Sequence, residues 1–229
     1  MLFRSAESVT AALRHGLCSA LLLARTLLLA GGLLLHSPAS RAGNQLYEPL
    51  ADDVRTALRS AVAERKPPRH AFVNPLQAAD WLSAMSQRLE RRLPDVGTRL
   101  DLLRSLHYEA SRAGLDPQLV LSLIEVESGF QRYAVSSAGA RGLMQVMPFW
   151  VKAIGGVDDN LFHLRTNLRF GCVILRHYLD MEKGDLYRAL GRYNGSLGRP
   201  EYPNMVHAAW KQWEYSPAGV SVVKTGGER

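Results

Sequence analysis

The chain has 229 residues, 47% of them hydrophobic and 21% charged, the balance of a globular protein with material for one core and an accessory segment. Its formal net charge of +7 falls to +4 once the first 42 residues, with four arginines and one glutamate, are set aside; that suits an anionic polymer but is too mild for a nucleic-acid footprint. Cys18 and Cys172 are separated by the same boundary, so stability has to come from packing and not from a disulfide.

Arg4 and Arg14 precede an apolar stretch over 26–35, followed by Ser37-Pro38-Ala39-Ser40-Arg41-Ala42 with small residues where a signal peptidase needs them. This predicts a secretory leader over 1–42 and an exported, periplasmic protein. Residues 17–35 are long enough for a marginal membrane span, but Arg25 in the middle costs about 2.5 to 3.5 kcal/mol at a bilayer centre. A cleaved leader is therefore favoured over a retained membrane anchor. Leu17 stands where a lipoprotein site at Cys18 needs a small residue.

Beyond residue 45 helical periodicity recurs without alternating strand patterns, which predicts a mainly α fold. Leu50, Val54, Leu58 and Val62 mark one face of a first helix that stops before Lys66-Pro67-Pro68. Asn74-Pro75 opens a second helix, with the stripe Trp81, Leu82, Met85 and Leu89 opposite Arg88, Arg91 and Arg92, which read as a solvated face. Both stripes need burial, so 43–95 is predicted to be a helical accessory segment packed on a main domain over 96–215, with 216–229 a flexible tail. Thr98 is predicted to cap a third helix, whose core face is Leu103, Leu106, His107 and Ala110 and which ends at Gly114. Asp116-Pro117 caps a fourth, running to about residue 128, in which Leu119, Val120, Leu121, Leu123, Ile124 and Val126 leave almost no polar face. A helix apolar all round is a buried one. Further helices are predicted at 149–154 and around 166–181, 186–193 and 205–213.

Glu127 closes that buried helix, where desolvation and the negative end of the helix dipole both disfavour a carboxylate and raise its pKa. An acid that stays protonated near neutrality can protonate a leaving oxygen. Taken alone, the position also fits a glutamate satisfied by backbone donors or an arginine. Gly129 can end the helix in the left-handed conformation, and Glu125, about 200° round the helix, cannot act on the same bond and reads as a partner to a cation.

The surrounding motifs are longer than chance allows: Glu127-Ser128-Gly129-Phe130, then Ala134-Val135-Ser136, Ala138-Gly139-Ala140, Gly142-Leu143-Met144-Gln145 and Met147-Pro148. Asn167, Gly171, Tyr178-Leu179, Gly184-Asp185, Ala189 and Tyr193-Asn194-Gly195 continue the pattern. In order and spacing the segment from about 98 to 215 resembles the soluble lytic transglycosylase family, whose catalytic domain has a goose-type-lysozyme-like α fold. The resemblance implies that Glu127 is the sole catalytic acid/base and that Ser136, Gln145, Met147, Tyr193 and Asn194 line a sugar cleft. It departs at Tyr193-Asn194-Gly195-Ser196, where the family has Tyr-Asn-Ala-Gly, so that edge of the cleft is expected to differ. Tyr202, in the loop expected to follow, is read as loop packing or as a sugar-stacking aromatic.

The family's reaction uses no metal and no organic cofactor: one glutamate protonates the bond between N-acetylmuramic acid and N-acetylglucosamine in peptidoglycan strands. It then deprotonates the muramoyl 6-hydroxyl, and a 1,6-anhydro product forms. A lysozyme-type hydrolase on the same fold would need a second carboxylate near the cleft, and Asp158 and Asp159 are better explained as turn residues. A third reading is a glycan-binding scaffold of an envelope protein complex, against which an intact Glu127 argues. His36, His163, His177 and His207 lack metal-ligand spacing, and Trp150, Trp210 and Trp213 read as core anchors and not as a base-stacking platform for nucleic acid.

Overall fold

The computed structural model describes residue 45 and residues 47–64, 75–156 and 159–216. The expected leader or anchor over 1–42, the Lys66-Pro67-Pro68 stop, Asn74, Asp158 and all but Ser216 of the expected tail lie outside the described residues. Eight helices are described: α1 Asp52–Ala63, α2 Pro75–Leu89, α3 Val96–Arg112, α4 Pro117–Ser128, α5 Pro148–Ile154, α6 Leu164–Met181, α7 Leu186–Asn194 and α8 Glu201–Trp213. Only two isolated β-bridges, Val135 with Arg141 and Arg141 with Val146, interrupt the helical architecture among the described residues. The fold is mainly α, as the periodicity predicts. None of the described helices is long and apolar enough to cross a membrane.

α4 is the central element. Leu119, Val120, Leu121, Leu123 and Ile124 are all buried, and the helix packs along α8 and against α3. Asp116 caps its first turn by accepting from Gln118 N at 2.7 Å, and Gly129 ends it at φ 57°. α3 packs on α6, α6 on α7, and α7 on α8, which closes the core around α4.

Three local expectations are corrected. The cap of α3 is Asp95, which accepts from Thr98 N at 2.7 Å and from the Thr98 hydroxyl at 2.6 Å; the carboxylate is the stronger acceptor, and the helix starts at Val96. α8 starts at Glu201 and not near 205, because Pro203 falls in the first turn, where a helix needs no N–H from it. Arg88 and Arg92 are not simply solvated: Arg88 donates to Gln212 O and Glu214 O at 3.0 and 3.1 Å, and Arg92 pairs with Glu125.

The helices before residue 96 are held by defined bonds. α1 packs against α5 and α6, and its C-terminal carbonyls meet two arginines of the neighbouring helices. Arg112 donates to Ala61 O at 2.5 Å, and Arg169 donates to Val62 O at 3.4 Å. Both guanidiniums sit on the fully buried Glu109, at 3.0 and 2.9 Å. Cations at a helix C-terminus complement its dipole, and the shared glutamate offsets their desolvation. In α2, Trp81 and Met85 are buried, and Trp81 stacks edge-on against His107 at 4.9 Å. Burial pushes the His107 imidazole down to about pH 4, so it is a neutral core residue.

Candidate functional site

Glu127 is 2% exposed at the last turn of α4. Burial pushes its carboxyl up to about 8, against the opposing pull of a hydrogen bond from the Tyr202 hydroxyl, which donates to Oε1 at 2.5 Å. Such a carboxyl is neutral at pH 7 and carries a proton it can give away. Glu125, two residues earlier, faces another way. It pairs with Arg92 and accepts from Trp213 Nε1 at 2.6 Å, which makes it the partner of a cation, as its place on the helix implies.

The loop from Gly129 to Met147 is held in a single shape from several sides. Asn167 on α6 accepts from Met144 N at 2.8 Å and donates to Arg141 O and Leu161 O at 2.8 and 2.9 Å. The Ser128 hydroxyl, next to Glu127, donates to Leu143 O at 2.7 Å. Gly142 takes φ 78°, and a Cβ there would lie 2.4 Å from Asn167 Nδ2. Glycine is needed both for the angle and for the approach.

The five residues that the motifs single out besides Glu127 are distributed as follows. Ser136 is half-buried, and its hydroxyl accepts from Ala140 N at 3.1 Å in the turn of the loop. Gln145 is buried at φ 46°, with Nε2 donating to Gly142 O and Ala134 O at 2.8 and 3.2 Å. Its amide nitrogen therefore serves the loop. Met147 is half-buried at the N-cap of α5. Tyr193 is buried on α7, and its hydroxyl donates to Met144 O at 2.8 Å. Burial and the nearby Glu127 hold the Tyr193 phenol well above its ordinary value, which brings these two residues into one neighbourhood. Asn194 Nδ2 donates to Ser196 Oγ at 3.0 Å, and its buried Oδ1 has no hydrogen-bond partner among the described residues.

Two participants escape a reading of the motifs. Tyr202 is neither a loop residue nor a stacking platform: it is 4% exposed in the first turn of α8, with burial and Glu127 holding its phenol well above the ordinary value. The only hint in the sequence is a tyrosine before an apolar helical run, which does not point to a partner 75 positions away. Gln45 is buried too: its Nε2 donates to Tyr193 O and its Oε1 accepts from Trp150 Nε1 at 2.8 Å, so the chain ahead of α1 bridges α5 and α7. Asp159, the described member of the Asp158-Asp159 pair, accepts from Gly156 N at 2.7 Å, as turn chemistry requires.

Comparison with known proteins bears on the part of the chain that builds this site. Residues 105–210 match the model of the transglycosylase SLT domain. The chain is 53% identical over 115 residues to the membrane-bound lytic murein transglycosylase C of Actinobacillus pleuropneumoniae serotype 5b, an alignment covering 43% of this chain and 31% of the relative. It is 40% identical over 115 residues, with the same coverage, to the like-named protein of Glaesserella parasuis serovar 5. A protein named transglycosylase from Enterobacteria phage PRD1 is 33% identical over 93 residues, 41% of this chain and 34% of the relative. The chain thus spans about a third of the length of the curated relatives it matches.

Proposed function

Starting from a chain whose residues 105–210 belong to the transglycosylase SLT domain family, we propose that this protein is a peptidoglycan lytic transglycosylase of the cell envelope, with Glu127 as its single acid/base. The observation that carries the reading is Glu127 itself: a carboxyl pushed up to about 8 by burial, with a tyrosine hydroxyl on one oxygen, at the rim of a rigid loop.

In this mechanism Glu127 protonates the glycosidic oxygen linking N-acetylmuramic acid to N-acetylglucosamine, and the bond to muramoyl C1 breaks with its electrons on that oxygen. The resulting carboxylate takes the proton of the muramoyl 6-hydroxyl as O6 bonds to C1. The products are a shortened strand and a 1,6-anhydromuramoyl end, with no water consumed and the acid regenerated. Tyr202 holds the carboxyl while it changes charge, since its hydroxyl bonds the ionised form more strongly than the neutral one. Ser136 and Met147 offer a hydroxyl and a polarizable thioether to the sugars, Asn194 bonds Ser196 at the edge of the cleft, and Gln145 and Tyr193 keep the loop in place. Residues 96–215 act as the catalytic unit in this reading, and the described helices before residue 96 brace it. The membrane-bound naming of the relatives supports an envelope location.

Two measurements test this together. Glu127→Gln keeps the size of the side chain and removes the acid; it is expected to lower strand cleavage by about a thousandfold or more, with the melting transition retained. Mass spectrometry of digested sacculi is expected to find anhydromuramoyl ends. Products heavier by one water would replace the transglycosylase with a hydrolase, and undiminished cleavage by Glu127→Gln would remove Glu127 from the chemistry.

A further inference from the structure

Arg132, Tyr133, Phe162 and Arg141 form a ladder on the surface that the cleavage mechanism does not use. The Arg132 guanidinium lies 5.6 Å from the centroid of the Tyr133 ring, the Tyr133 and Phe162 rings lie 6.1 Å apart, and the Arg141 guanidinium lies 5.8 Å from the Phe162 centroid. Tyr133 is 70% exposed and Val135, two residues on, is 61% exposed; both arginines are exposed as well. Neither guanidinium has an ion-pair partner among the described residues, whereas Arg92, Arg112, Arg169, Arg176, Arg188 and Arg192 all do.

The ladder is preorganised. Arg132 Nε donates to Phe162 O at 3.1 Å, Gly142 N donates to Ala134 O at 2.9 Å, and Ser136 N donates to Ala140 O at 3.0 Å. The backbone that carries the ladder therefore has little freedom to lose when a ligand arrives. Arg132, Tyr133 and Arg141 rise from the same loop as Ser136 and Gln145, and Phe162 joins them from the connection between α5 and α6.

A ligand that fits must bring carboxylates to two unpaired guanidiniums, which favour charge-assisted bonds to such groups, and must lay an apolar face on an exposed ring. The backbone of a glycan strand offers ring faces but few charges. The short peptides carried by muramoyl residues offer both acidic groups and aliphatic stems. We infer that this face binds the acidic stem peptides of peptidoglycan and so makes peptide-bearing strands the preferred substrate, an assignment that rests on the cleavage reading above.

The test compares soluble, uncrosslinked strands that carry their peptides with the same strands stripped of peptides by an amidase. Tyr133→Ser and the double variant Arg132→Gln with Arg141→Gln are each expected to raise the apparent KM on peptide-bearing strands about five- to tenfold, with kcat held. On stripped strands they are expected to match the parent. An equal rise on both substrates would mean that the ladder reads sugar, and no rise on either would mean a merely solvated face; both overturn the inference. A parent that cuts neither substrate refutes the cleavage reading instead. Co-sedimentation of Glu127→Gln protein with sacculi, with and without Tyr133→Ser, then measures the surface separately: binding weakened about fivefold upholds it, and unchanged binding overturns it.

Discussion

Glu127 and Tyr202 show how two side chains set a proton's affinity between them. Burial raises the carboxyl, and the tyrosine hydroxyl lowers it again by favouring the ionised form, with a net value of about 8. A raised acid is protonated below that value, so cleavage that needs the proton is expected to fall as pH rises through about 8. Tyr202→Phe removes the group that lowers the value, so the alkaline limb should move to higher pH in this variant, while kcat falls about tenfold from loss of one positioning bond. A pH–rate profile of parent and variant checks this. A limb that stays put, or moves to lower pH, would take Tyr202 out of the acid's environment. Tyr202 falls in a helix and not in a loop because Pro203 sits where a first turn tolerates proline, which lets α8 start at Glu201.

The loop between α4 and α5 is the element on which the site depends. It contains no regular secondary structure beyond isolated bridges, yet Asn167 bonds three of its backbone or flanking groups and Ser128 bonds a fourth. Gly142 sits inside this clasp, with no room for a methyl group. Gly142→Ala would meet both a left-handed backbone angle and a contact at 2.4 Å, and is expected to destabilise by about 2 to 4 kcal/mol. Urea unfolding monitored by circular dichroism measures it, and a midpoint equal to the parent's would mean that the loop yields easily. Glycines in this stretch were readable from the motifs as members of the pattern. What each one avoids was not, because the obstacle at Gly142 is an asparagine side chain 25 positions further along.

At the scale of the whole molecule, the described helices before residue 96 are joined to the rest through charge as well as apolar contact. Glu109 is fully buried and pairs with both Arg112 and Arg169, which in turn hold the C-terminal carbonyls of α1. Glu109→Ala leaves two arginines without their counter-charge and is expected to cost about 3 to 5 kcal/mol. Hydrogen exchange should show the α1 amides losing protection before those of α4. Equal loss across both helices would mean that the pair supports the whole fold and not the attachment of α1. Gln45 acts in the same sense at the other side, since one buried amide joins α5 to the carbonyl of Tyr193.

By itself the sequence determined the helical class, the buried α4, the capping of that helix by Asp116 and Gly129, and the singling out of Glu127. Each of these rests on local signals: apolar spacing, cap residues and a motif contiguous along the chain. The cap of α3, the start of α8, the Glu109 triad, and the places of Tyr202 and Gln45 were decided by tertiary structure. Glu109 meets Arg169 from 60 positions away, Tyr202 meets Glu127 from 75 and Gln45 meets Tyr193 from 148, while the cap of α3 is decided by competition between neighbouring acceptors; no periodicity records such pairings. The acid was legible because burial follows from local hydrophobicity. What holds the acid was not, because a hydrogen bond depends on where two distant backbones come to rest.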